Sequence, residues 1–143
     1  MWVIVQDILD AALLGLGDES ANLIADRAMQ PPFEGFRWPG FQGGIGSGGP
    51  ITDGAGVSAA GLRLMVLQSG LSGEGKEKTI LVLPSWPCID WAVSFKLHAP
   101  FSTIVKGRYD GNYSLLDLEV TPKERSIDLA FGPCVNKVEW KVE

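Results

Sequence analysis

Apolar residues recur with a helical period in the first half of the chain and with a strand period in the second. Residues 3–14 carry Val3, Ile4, Ile8, Leu9, Ala12 and Leu13, with Asp7 and Asp10 between them. A spacing near 3.6 predicts an amphipathic helix there. Gly15 and Gly17 end it, since glycine takes the left-handed conformation without a Cβ clash. Asp18 is then placed as an N-cap, and Glu19 suits the positive end of the helix dipole, which predicts a second helix over 19–29. Leu23, Ile24, Ala28 and Met29 give it an apolar face, and Pro31-Pro32 stops it. The short glycine-bearing turn between the two helices predicts an antiparallel hairpin. Residues 55–69 return to helical spacing with Arg63 as their only charge. A helix apolar nearly all round expects to be buried on most sides, and too few partners are in view to bury it.

Beyond residue 75 the period changes to two. Thr79–Leu83 is a short apolar run suited to a buried strand. Over 91–97, Trp91, Val93, Phe95 and Leu97 fall on one face and Ala92, Ser94 and Lys96 on the other. Residues 102–109 and 114–121 flank Asp110-Gly111-Asn112, which is hairpin chemistry. On its second arm Leu116, Leu118 and Val120 face one way, Asp117 and Glu119 the other. Ser126–Phe131 and Val135–Val142 are read as two more strands. The fold class is therefore α+β. A helical segment, 1–74, precedes a small antiparallel β-sheet or sandwich, 75–143.

Between the second and third helices, residues 31–54 hold Phe33, Phe36, Trp38 and Phe41 among eight glycines. A loop that long is functional or disordered as a rule. Its four aromatic rings favour an ordered loop packed on itself.

Composition narrows the classes. The 143 residues are 45% hydrophobic and 20% charged, which excludes general disorder, a collagen-like chain and a coiled-coil rod. Twelve basic against seventeen acidic residues leave a net charge of −5, so non-specific nucleic-acid binding is not expected. No apolar run is long enough to span a membrane, and Met1–Asp7 lacks the basic flank of a secretory signal. Cys88 and Cys134 are expected as buried free thiols; one bridge is the alternative if the fold brings them together.

Several short matches fail on context. Gly44–Gly49 fits G-x-G-x-x-G, but it lies mid-loop with Pro50 after it instead of a helix. Gly70–Lys76 has the glycine–lysine spacing of a phosphate loop, but Glu77 stands where a hydroxyl must hold magnesium. His98 is the only histidine, and no metal-ligand spacing surrounds it, so neither a metal nor another cofactor is expected. A structural role at a strand end suits it better than a catalytic one. Asn112-Tyr113-Ser114 fits a glycosylation sequon.

One stretch is distinctive: Leu83-Pro84-Ser85-Trp86-Pro87-Cys88-Ile89-Asp90-Trp91-Ala92-Val93-Ser94-Phe95-Lys96-Leu97-His98-Ala99-Pro100. It resembles the start of the C-terminal β-domain in six-hairpin glycosidases near glycoside hydrolase family 95. Val105–Tyr109 matches that family's V-x-G-x-Y strand, and Leu118–Pro122 its L-x-V-x-P strand. Upstream, Asp53-Gly54 stands in place of an I-D-G turn, Leu67-Gln68-Ser69 closes the following helix, and Leu81–Pro84 matches a strand of L-L-P type. The resemblance runs over about residues 8–125. It implies the last hairpins of an (α/α) toroid followed by the β-domain, hence a protein partner or segment supplying the rest of the toroid, and a carbohydrate ligand.

The resemblance also implies an inverting α-L-fucosidase-like chemistry. A glutamic acid protonates the leaving group, and an aspartate polarises asparagine side chains that act as base. The acid and the asparagines belong to a segment with no counterpart here. The aspartate maps onto Asp53, with Thr52 for the family's isoleucine and Ala55-Gly56-Val57 for Asn-Phe-Gly. Asp53-Gly54 before a helix is also an N-cap or Asx-turn. Two other functions remain open: a small carbohydrate-binding module, with Trp38 as candidate stacking residue and Trp86 and Trp91 beside it, and a subunit-interaction domain.

Overall fold

The computed structural model describes residues 7–29, 52–70, 73 and 75–142. Helices come first: α1 Asp7–Leu13, α2 Gly17–Ala28 and α3 Thr52–Val66. Strands follow: β1 Leu67–Ser69, β2 Ile80–Val82, β3 Val93–Ala99, β4 Thr103–Tyr109 and β5 Ser114–Thr121. A 3₁₀ helix, Lys123–Asp128, leads to β6 Leu129–Phe131 and β7 Lys137–Trp140. The α+β class read from the sequence holds.

α1 and α2 are joined through Gly15, whose φ of 76° lies in the left-handed region. α2 starts at Gly17, so Asp18 sits inside its first turn and not at the cap. α1 packs on α3 at close range because Gly61 carries no side chain: a Cβ there would overlap Ile8, which is fully buried. α3 is not enclosed on most sides as its composition suggested. Gly61, Met65 and Val66 face inward, while Ala59, Ala60, Leu62 and Arg63 are exposed.

The helical spacing of 55–69 overruns the helix. Residues 67–69 leave it as β1 and pair antiparallel with β2, Gln68 opposite Leu81. Gln68 is buried, and its Nε2 donates to the Ala12 and Leu64 carbonyls at 2.8 and 3.1 Å. A buried amide satisfied by two helices fixes the point where helix becomes strand.

The strands form two sheets, ordered β1-β2-β6 and β3-β4-β5-β7. β2–β6 and β5–β7 are parallel pairs, so the expected all-antiparallel sheet is mixed. The expected strand over 126–131 is mostly the 3₁₀ helix, leaving only 129–131 for β6. Arg125 explains the difference. It is buried, its Nε donates to Thr103 Oγ1 at 2.9 Å, its Nη2 to the Lys78 carbonyl at 3.1 Å, and its Nη1 pairs with Asp128. Its guanidinium also lies 5.2 Å from the Phe101 ring centroid.

The alternation expected on β5 also slips. The register shifts between Lys106 and Arg108 on β4, where Arg108 opposes Leu116 but Lys106 opposes Glu119. Asp117, with φ of 53°, is part of that bulge. Leu115, Leu118 and Val120 therefore point inward, and Leu116 is only half-buried.

Cys88 and Cys134 are bridged, with Cα atoms 4.9 Å apart, which corrects the expectation of free thiols. The period-two pattern hid this, because the cysteines lie in two turns brought together by Tyr109. One apolar cluster contains Ala12, Met65, Val82, Trp86, Tyr109 and Leu118, so residues before and after 75 share a core.

Candidate functional site

The stretch 83–100 builds the joint between helices and sheets. Leu83 turns the chain after β2 with φ of 54° and is fully buried. Its N–H donates to the Val66 carbonyl at 2.7 Å, and the Ser85 N–H donates to Met65 at 3.3 Å. The Ser85 hydroxyl meets that of Ser20 on α2 at 3.2 Å, both groups buried. Trp86 Nε1 donates to the Trp91 carbonyl at 2.7 Å, and the two rings meet edge to face with centroids 5.7 Å apart. At the far end Arg63 Nη2 reaches from α3 to the His98 carbonyl at 3.1 Å. The last turn of α3 is thus tied to both ends of the segment.

Of the two residues singled out as candidate site residues, only Asp53 lies among the described residues. Asp53 is the second residue of α3, which begins at Thr52, so it lies in the first helical turn and not ahead of the helix. Trp38, and with it most of the aromatic loop 31–54, falls outside the described residues. Trp86 is 4% exposed and Trp91 half-buried, so their rings serve the core and the joint. His98 is near the end of β3, and its backbone carbonyl is the atom Arg63 engages.

The hairpin turn is organised by one carboxylate. Asp110 Oδ1 accepts from the Asn112 N–H at 2.7 Å and the Ser114 N–H at 3.1 Å. The bond from Asn112 is the main reason that its acidity is raised, its pKa falling below the ordinary aspartate value. Tyr109 beside it is fully buried, and desolvation is the main cause of a pKa raised above the usual phenol value.

An aromatic ring missed by the sequence reading lies at the other edge. Trp140 on β7 is 47% exposed and lines a cleft of about 520 Å³ with Thr121, Lys123, Ser126 and Lys141. No period or motif marks it; its exposure follows from β7 being a short edge strand beside the 3₁₀ helix. Among the described residues no group of three or more His, Cys, Asp or Glu is placed to hold a metal ion. No described helix is long and apolar enough to cross a membrane.

No family model, curated protein or solved structure matches the chain.

Proposed function

We propose that this chain is the C-terminal region of a carbohydrate-active glycoside hydrolase of the six-hairpin, α-L-fucosidase-like type, and that it acts as part of a larger catalytic body. The observation that carries this reading is the coincidence of sequence and architecture at 83–100. The stretch most like the family's β-domain start is the one that joins α3 to the sheets, through Leu83, Ser85 and His98. Exposed apolar side chains at the helical end add support. Leu13, Leu14 and Leu16 are 58%, 73% and 49% exposed around the α1–α2 turn, a patch that further toroid helices would cover.

In this reading the helices carry Asp53 toward a sugar site, and the β-domain braces the last helix. The general acid comes from outside this chain. Cleavage therefore needs the remaining toroid.

The test is complementation. The purified chain alone is expected to leave an aryl α-L-fucoside intact. Mixed with a family 95 enzyme trimmed of its own matching region, it is expected to restore hydrolysis, and Asp53→Ala to abolish that gain. Hydrolysis by the chain alone, or failure to bind the trimmed enzyme, would overturn the reading. A carbohydrate-binding module is the second reading, favoured by the exposed Trp140 ring beside its cleft.

A further inference from the structure

The solvent face of the larger sheet carries a row of charge in which lysine is in excess. Lys96 on β3 lies directly opposite Lys106 on β4, and Lys106 directly opposite Glu119 on β5. Like charges directly opposite on neighbouring strands are destabilising. Glu119, which also meets Lys141 Nζ at 3.0 Å, offsets only part of that repulsion, as one carboxylate among three lysines. In the next row Arg108 is engaged with Asp117 at 3.4 Å. Among the described residues neither Lys96 nor Lys106 has an ion pair.

Lys96, Lys106, Arg108, Asp117 and Lys141 line a groove of about 550 Å³ with Ser94, Phe95 and Gly107. Lys96, Lys106, Arg108 and Lys141 meet only two carboxylates there, an excess of two positive charges. The chain as a whole carries −5, so the groove is a local reversal of sign. The lysines also hold the Glu119 carboxyl below its ordinary range, Lys141 most strongly and Lys106 and Lys96 after it. A concave surface with an excess of one sign of charge concentrates the opposite ion.

We infer that this groove binds an anionic oligosaccharide, one bearing carboxylate or sulfate groups, along the row Lys96–Lys106–Lys141. Adjacent strands lie about 4.8 Å apart, so the row spreads three lysines across the sheet with Glu119 between Lys106 and Lys141, which suits an extended polyanion better than a single ion. Lys141 also lines the neighbouring cleft with Trp140, giving the polyanion an aromatic face at one end. The anion chemistry stands on the lysine row alone. The choice of a glycan to carry it rests on the glycosidase reading.

The test is calorimetric titration of the full chain with four probes of equal length: a sulfated oligosaccharide, an oligogalacturonate, a neutral oligosaccharide and a single-stranded oligonucleotide. Binding of one or both acidic glycans, weakening as salt rises, is the expected result. Lys96→Ser and Lys106→Thr should each lower affinity roughly threefold. Lys96→Ser should melt no lower than the parent, since it removes the repulsion from Lys106, whereas Lys106→Thr also loses the attraction to Glu119. Lys137→Ser, on β7 but paired with Glu139 outside the groove, should change nothing. Absence of binding to either acidic glycan, equal binding of the neutral one, or tighter binding of the oligonucleotide would each overturn the inference. The complementation assay above does not touch the groove, so the failure of either reading is seen separately from that of the other.

Discussion

The hydroxyl of Tyr109 donates to the Cys88 carbonyl at 2.6 Å and lies 3.3 Å from the carbonyl of Cys134. One phenol on β4 therefore contacts the backbone at both ends of the disulfide. It also accepts the Tyr113 N–H at 2.9 Å, which ties the hairpin turn to the same point. Tyr109→Phe keeps the ring but leaves a carbonyl and an N–H in the interior without a partner. A loss of about 1–3 kcal/mol is expected in urea denaturation. The phenol titrates above its ordinary value of 10.0 in the folded chain, so its contribution is complete below pH 10. Stability should decline as pH rises above that value, and this alkaline decline should be smaller in the phenylalanine variant.

The disulfide encloses 46 residues of sequence separation, including the hairpin β3–β4–β5. Closing a loop of that size restricts the unfolded chain by about 2–4 kcal/mol. Replacing both Cys88 and Cys134 by serine should lower the denaturation midpoint accordingly. The parent treated with reductant should match the double variant.

Asp110 supplies a signature at the other end of the pH scale. Its folded pKa is depressed, chiefly by the Asn112 N–H, so its contribution is present above the ordinary value of 3.8 and lost as pH falls through the folded value. Carbon-detected NMR of the side-chain carboxyl should show a midpoint below that of a free aspartate. Asp110→Ala should flatten the acid limb of the melting curve.

Gly61 is a packing position, not a turn. Gly61→Ala places a methyl group into the buried Ile8 side chain, and α1 must shift from α3. The expected cost is about 1–3 kcal/mol. Gly61→Ala combined with Ile8→Ala should recover part of it, a coupling that thermal melts of the four variants would measure.

Arg125 is a buried cation with one carboxylate partner, Asp128, and two oxygen acceptors. Arg125→Leu leaves Thr103 and Asp128 without it and should cost about 3 kcal/mol in denaturant unfolding. Lysine cannot restore the fork, so Arg125→Lys should remain well below the parent.

Legibility in the sequence followed the range of the interactions. Local periods marked α1 to α3, the β3 alternation and the Asp110-Gly111 turn, because each is decided by neighbours along the chain. Where a distant partner decided, the period misled. Leu67–Ser69 carries helical spacing yet becomes β1, because Gln68 finds the Ala12 carbonyl and β2 offers a ladder. Residues 126–128 carry a strand-like run yet close a 3₁₀ helix around Arg125. Alternation sets Leu116 on one face with Leu118 and Val120, because a bulge at Asp117 leaves no trace in composition. The candidate site was less legible still. Lys96 and Lys106 are unremarkable exposed strand residues until the register sets them opposite each other.

Both sheets are completed by the last part of the chain. β6 adds to the edge of β2, and β7 to the edge of β5, each as a parallel strand. Between them Cys134 is fastened to Cys88. During synthesis, then, β2 and β5 both wait with an open edge until residues 129–142 have emerged, and neither sheet can finish before the other has nearly all of its chain. Parallel pairing across so long a separation forms slowly. While those edges stand open, the nascent chain is most exposed to misassociation.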